Sequence, residues 1–170
     1  YSAQQDYHRA VLAYQNAYSK TPSAQIALFL SNAQYQAEQP EKALSTLQQW
    51  LAVEPTDTTV RIRLAMLLDQ LGHRNDAIAE YEQLIEQNPK NAIALNNLAW
   101  IYGTGHAKGL KYAKRAVEIA PDRPEVLDTF GWLLVLSKKT KQGLLYLQQA
   151  TMLAPHSTDI RYHLALAYER

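Results

Sequence analysis

The 170-residue chain has no cysteine and only six glycines. Without a thiol there can be no disulfide framework, thiolate zinc site, cysteine nucleophile or lipid attachment through cysteine within these residues. Sparse glycine beside abundant alanine, leucine and glutamine favours helix and argues against an all-β fold. Long apolar runs are missing too. Ile26 to Leu30 is typical of those present and far too short to cross a bilayer, and no basic start followed by an apolar segment opens the chain. Neither sign of charge dominates: 17 Lys and Arg face 16 Asp and Glu, for a net charge of +1. With 47% hydrophobic residues, the composition is that of a chain able to bury a core rather than of a disordered one. The first residue is Tyr1 rather than Met, and Arg170 falls inside a helical pattern, so the sequence reads as a piece of a longer protein.

What is present is periodic. Pro22, Pro55, Pro89, Pro121 and Pro155 are separated by 33, 34, 32 and 34 residues. A true repeat must also reproduce its packing positions, and this one does. Twelve residues before each proline stand Ala10, Ala43, Ala77, Gly109 and Gly143, all small. Eight before it are Tyr14, Leu47, Tyr81, Ala113 and Leu147, and five before it Ala17, Trp50, Leu84, Ala116 and Ala150. Steps of three and four residues place these on one helical face. A second helix per unit is marked by a large apolar residue followed by a small one, at Leu30-Ser31, Leu64-Ala65, Leu98-Ala99 and Phe130-Gly131. The pattern predicts alternating helices B and A: B 6–20, A 24–37, B 40–53, A 57–71, B 74–87, A 91–103, B 107–119, A 123–137, B 140–153 and A 158–170. The A-to-B turns fall at Gln39-Pro40, Leu71-Gly72-His73 and Lys138-Lys139-Thr140, with a turn two residues shorter between Gly103 and Lys108. The prolines close each B helix because they cannot continue its hydrogen-bond ladder.

These residues resemble the tetratricopeptide repeat, a helical hairpin of about 34 residues with the pattern W-x2-L-G-x2-Y, then A-x3-F, then P. The resemblance covers nearly the whole chain and implies an all-α fold, a right-handed α-solenoid. Four full repeats, about 24–57, 58–91, 92–123 and 124–157, are flanked by half-repeats 1–23 and 158–170 in a single domain. The first tryptophan of the pattern is replaced by Ala27, Arg61, Leu95 and Leu127 in turn.

In such an array the resemblance implies that the A helices line the inner, concave face. The A-helix pairs expected to face that groove are Leu28/Asn32, Ile62/Met66, Asn96/Trp100, Asp128/Trp132 and Tyr162/Leu166. Seven of the ten are apolar or aromatic, the composition of a surface that a protein or peptide segment covers. Trp100 and Trp132 have two other readings: they complete packing between hairpins, or their rings stack on sugars. Some tetratricopeptide domains grip a terminal carboxylate with a Lys and an Asn on this face. The pairs named here supply no cation, and Arg63 and Asn97 fall one residue off them, so that clamp is not expected.

Chemistry is otherwise thin. His8, His73, His106, His156 and His163 are scattered, with no zinc-helix spacing. Asp159 and His163, four apart at a helix start, read as a local ion pair rather than a metal site. Gly103-Thr104-Gly105 lacks the Lys-Ser/Thr of a phosphate loop, and no Gly-x-Ser-x-Gly occurs. The expectation is a noncatalytic chain with no metal and no cofactor. Residues 54–88 hold seven acids and three bases, and residues 106–141 eight bases and four acids, so weak end-to-end self-association is conceivable on charge grounds. The basic residues fall largely on B helices and turns, where a solvated charge face explains them and a nucleic acid is not expected as partner.

Three phrases are more particular: Asn96-Asn97-Leu98-Ala99-Trp100, Ala120 through Trp132, and Ile160-Arg161-Tyr162-His163-Leu164-Ala165. Over roughly residues 90–170 they resemble bacterial tetratricopeptide lipoproteins of the exopolysaccharide and PEP-CTERM/exosortase systems. That resemblance implies a periplasmic or outer-membrane-associated scaffold in an envelope complex for polysaccharide export or protein sorting. A cytoplasmic adaptor, or the repeat arm of a larger enzyme such as a transferase, is the alternative.

Overall fold

The computed structural model describes residues 2–103 and 107–170, the side chains of residues 2–5 excepted. Among the described residues there are ten α-helices and no strand: α1 (Ser2–Lys20), α2 (Ala24–Gln36), α3 (Pro40–Val53), α4 (Thr58–Gln70), α5 (Arg74–Gln87), α6 (Ala92–Tyr102), α7 (Ala107–Ile119), α8 (Pro124–Leu136), α9 (Thr140–Leu153) and α10 (Thr158–Tyr168). The odd-numbered helices are the B helices and the even-numbered the A helices. All bounds fall within two residues of the sequence expectation except the start of α1, which lies at Ser2 rather than residue 6. The short turn expected between Gly103 and Lys108, and with it His106, falls on residues 104–106, outside the described ones.

Two turn chemistries alternate. Where A passes to B, a residue in left-handed backbone closes the helix: Glu38 at φ 59°, Gly72 at φ 84° and Lys138 at φ 62°. The next amide then reaches back across the last turn, Gln39 N to Gln34 O at 2.8 Å, His73 N to Leu68 O at 2.9 Å and Lys139 N to Leu134 O at 2.9 Å. This satisfies carbonyls that a helix end leaves bare. Where B passes to A, the proline forbids further helix, and at α2, α4 and α6 a polar side chain opens the next one. Asp57 accepts from the Val60 amide at 3.0 Å and Asn91 from the Ala94 amide at 3.1 Å.

The chain forms two compact units, Tyr1–Glu80 and Tyr81–Arg170. In the first, α1 packs on α2, α2 on α3 and α3 on α4, and α2 also touches α4. Of the two replaced tryptophan positions here, Ala27 and Arg61, the arginine stays buried because its guanidinium meets Glu80 at 2.5 Å and the Pro55 carbonyl at 2.6 Å. In the second unit each of α6 to α10 packs on the next, α6 also meets α8, and α8 meets α10. The B helices α7 and α9 share no comparable contact. A helices that touch while the B helices beside them do not form the inner row of a bend, so within this unit α6, α8 and α10 line its concave side.

The small residues of the repeat lie where helices cross most closely. A Cβ added at Gly131 would sit 2.9 Å from the Gly143 carbonyl oxygen, and one at Gly143 2.5 Å from the Gly131 oxygen. Backbone therefore rests on backbone at the α8–α9 crossing, and the flanking core of Phe130, Leu133, Leu134 and Leu147 closes around it.

Candidate functional site

The inner row of the second unit encloses a cavity of about 520 Å³, lined among others by Trp100 from α6, Glu125, Asp128 and Thr129 from α8, and Asp159, Tyr162 and His163 from α10. Its position follows from the repeat: α8 and α10 present equivalent turns side by side, Glu125 with Asp159, Asp128 with Tyr162 and Thr129 with His163, and α6 adds Trp100 from one turn further along. The walls are of two kinds. Trp100 is 49% and Tyr162 61% exposed, both large rings held open to solvent. Glu125, Asp128 and Asp159 add carboxylates, and no Lys or Arg lines the space.

At its floor stands a group that the sequence pattern left outside the groove. His163 Nδ1 lies 2.8 and 3.0 Å from the two carboxylate oxygens of Asp128, close enough for the ring N–H to donate to either. Its ring stacks on Trp132 with centroids 4.8 Å apart and planes 13° apart, and meets Trp100 at 5.8 Å in a tilted arrangement. The imidazole is thus fixed between two indoles and anchored by a carboxylate, with both partners' side chains nearly buried. Arg170 extends the series, its guanidinium 5.3 Å from the Trp132 ring centre.

Two expectations change. Asp128, expected to face a partner, is only 7% exposed and is occupied by His163. The ion pair expected between Asp159 and His163 does not form. The histidine turns to the neighbouring A helix because there it gains a carboxylate and an aromatic face together, whereas Asp159 is solvent-exposed. Among the described residues the hydrogen-bond partner of His163 is Asp128, which orients its ring. No group of three or more metal-ligating side chains lies together among the described residues.

The remaining expected positions divide between the units. In the second, Trp132 is partly buried against Val135, Leu147 and Ala167, and Asn96 and Leu166 are half-buried and lie outside the cavity lining. In the first unit Asn32 and Met66 are exposed and Leu28 and Ile62 half-buried, with Arg63 reaching Asn32 Oδ1 at 3.4 Å. That contact has the same register as His163 on Trp132: residue 63 on 32, residue 163 on 132. The lateral neighbour on an A helix is therefore the position one beyond the first of each expected pair. Applying the repeat period to Arg63 and Asn97 leads to His163, a signal present in the sequence and not used there.

Comparison with known proteins agrees with this architecture. The tetratricopeptide repeat family model matches residues 1–61 and 35–101, together more than half of the chain. A TPR repeat-containing protein of Pseudomonas aeruginosa is 30% identical over 148 residues, covering 82% of this chain and 24% of that protein. The chain spans about a quarter of the length of the curated relatives it matches. A thermophilic TPR protein of Thermus thermophilus superposes with a TM-score of 0.73 at 21% identity, over 86% of this chain and 82% of that one. MamA of Desulfovibrio magneticus gives 0.70 at 18% identity, over 95% and 85%. These two likenesses concern the fold.

Proposed function

The chain belongs to the tetratricopeptide repeat family, and we propose that it is a noncatalytic scaffold that holds a partner segment against its A helices. The carrying observation is the cavity among α6, α8 and α10, where Trp100 and Tyr162 stay open to solvent while the residues behind them are packed. Holding large rings in water is unfavourable, and a covering partner relieves it. Trp and Tyr are also the residues most enriched among those that dominate binding energy. In this reading Trp100, which lines the cavity, takes the groove role, and Trp132, packed against Val135, Leu147 and Ala167, the packing role. Leu28, Asn32, Ile62 and Met66 supply a further A-helix surface in the first unit.

The test is capture from the native cell by the full chain. Trp100→Ala is expected to weaken capture by about thirtyfold, the cost of a residue worth about 2 kcal/mol, while helical circular dichroism stays unchanged. Undiminished capture would refute the assignment of this face.

The setting proposed for this scaffold is a bacterial envelope complex for exopolysaccharide export or protein sorting, in the periplasm or at the outer membrane. Its support is the set of residue phrases over roughly 90–170. No helix among the described residues is long and apolar enough to cross a membrane. Weak self-association through the acidic 54–88 and basic 106–141 segments of separate copies belongs to the same reading. A monomeric mass at high concentration and low salt would exclude it.

A further inference from the structure

Resting on that interaction reading, we propose that the cavity among α6, α8 and α10 takes a cationic side chain, Arg or Lys, of an extended partner segment, seated on Trp100 and Tyr162 and neutralised by Glu125 and Asp159. The charge of the cavity comes first. Among the described residues its lining carries three carboxylates and no Lys or Arg. Glu125 and Asp128 stand out from the stretch around them, residues 106–141, which has eight bases against four acids, and Asp159 joins them from α10. Of the three carboxylates, Asp128 is committed to His163. Among the described residues Glu125 pairs with Arg123 at 3.8 Å, and Asp159 is exposed with no ion pair. Two carboxylates thus face the space with their charge largely unanswered.

The aromatic walls point to the same ligand class. The negative face of an indole or phenol ring attracts a guanidinium or ammonium, most strongly for tryptophan. The chain shows this preference itself, with Arg170 over Trp132 at 5.3 Å and Lys108 over Tyr102 at 5.5 Å. A wholly apolar segment would bury the cavity's carboxylates without partners, and an acidic one would meet them head on. About 520 Å³ accommodates one long side chain with the backbone on either side of it.

The experiment titrates the full chain with blocked Gly-Ser hexapeptides carrying a single central Arg, citrulline, Leu or Glu, following the Trp100 indole N–H by NMR. The Arg peptide is expected to move that signal, and the citrulline peptide to bind about fivefold more weakly. Asp159→Asn, a surface change that spares the fold, should weaken Arg-peptide binding by a similar factor, as should raising salt from about 0.05 to about 0.5 M. Citrulline binding as well as Arg, or no movement of Trp100 with Arg at millimolar peptide, would overturn the proposal. A Leu peptide that binds better than Arg would overturn it too, while leaving the groove reading intact. Trp100 shifts that track protein concentration alone would assign the cavity to a second copy, which also contradicts it. Loss of native capture in Trp100→Ala is read separately, so failure of the cation assignment and failure of the scaffold reading give different results.

Discussion

Lys138 holds a left-handed backbone conformation, φ 62°, at a turn position that Gly72 occupies after α4. A side chain there crowds its own carbonyl, at a cost of about 1–2 kcal/mol that glycine escapes. Lys138→Gly is expected to stabilise the protein by about 1 kcal/mol, seen as a higher urea midpoint with an unchanged slope. A lower midpoint would mean that the lysine makes a compensating contact. Asp128 and His163 form the other instructive pair at this scale. Their side chains are about one-tenth exposed, so each single change leaves a polar group poorly answered. A double-mutant cycle with Asp128→Asn and His163→Gln should give a coupling of about 0.5–3 kcal/mol. It should also alter the near-ultraviolet tryptophan dichroism, because Trp132 loses the ring it stacks on. Additive effects would mean that the pair does not hold the stack.

At the scale of the helix, the crossing of α8 and α9 depends on Gly131 and Gly143, each without room for a Cβ against the other's backbone. Gly143→Ala is expected to cost about 1–3 kcal/mol although alanine is the better helix former, because backbone and Val135 must move. A neutral or stabilising result would contradict the crossing described. These elements were legible in the sequence because each is marked twice, by an apolar step of three or four residues and by proline or a turn residue at its end. The start of α1 was not, since the residues around Gln5 carry no such stop. The site was half legible. Trp100 and Tyr162 follow from the period, whereas the period alone turns Asp128 toward the groove and helix spacing pairs His163 with Asp159. Spacing within one helix reveals neighbours along that helix only, whereas this pair is 35 residues apart and meets across two A helices.

At the scale of the whole molecule, the chain is two compact units of repeat hairpins, and the candidate site belongs to the second of them. Repeat architecture supplies the surface of such a site: successive hairpins contact their neighbours, and their inner helices pool exposed side chains. The outer helices also expose apolar groups, Met152 on α9 being 80% exposed. On the proposed function, partners are held by the inner row and not by the outer one. The most direct measurement places a photoreactive benzoyl-phenylalanine at position 162 or at position 152 and illuminates the native cell. Crosslinking to a partner from position 162, with none from 152, is the expected result. Crosslinks from 152 alone, or equally from both, would contradict it.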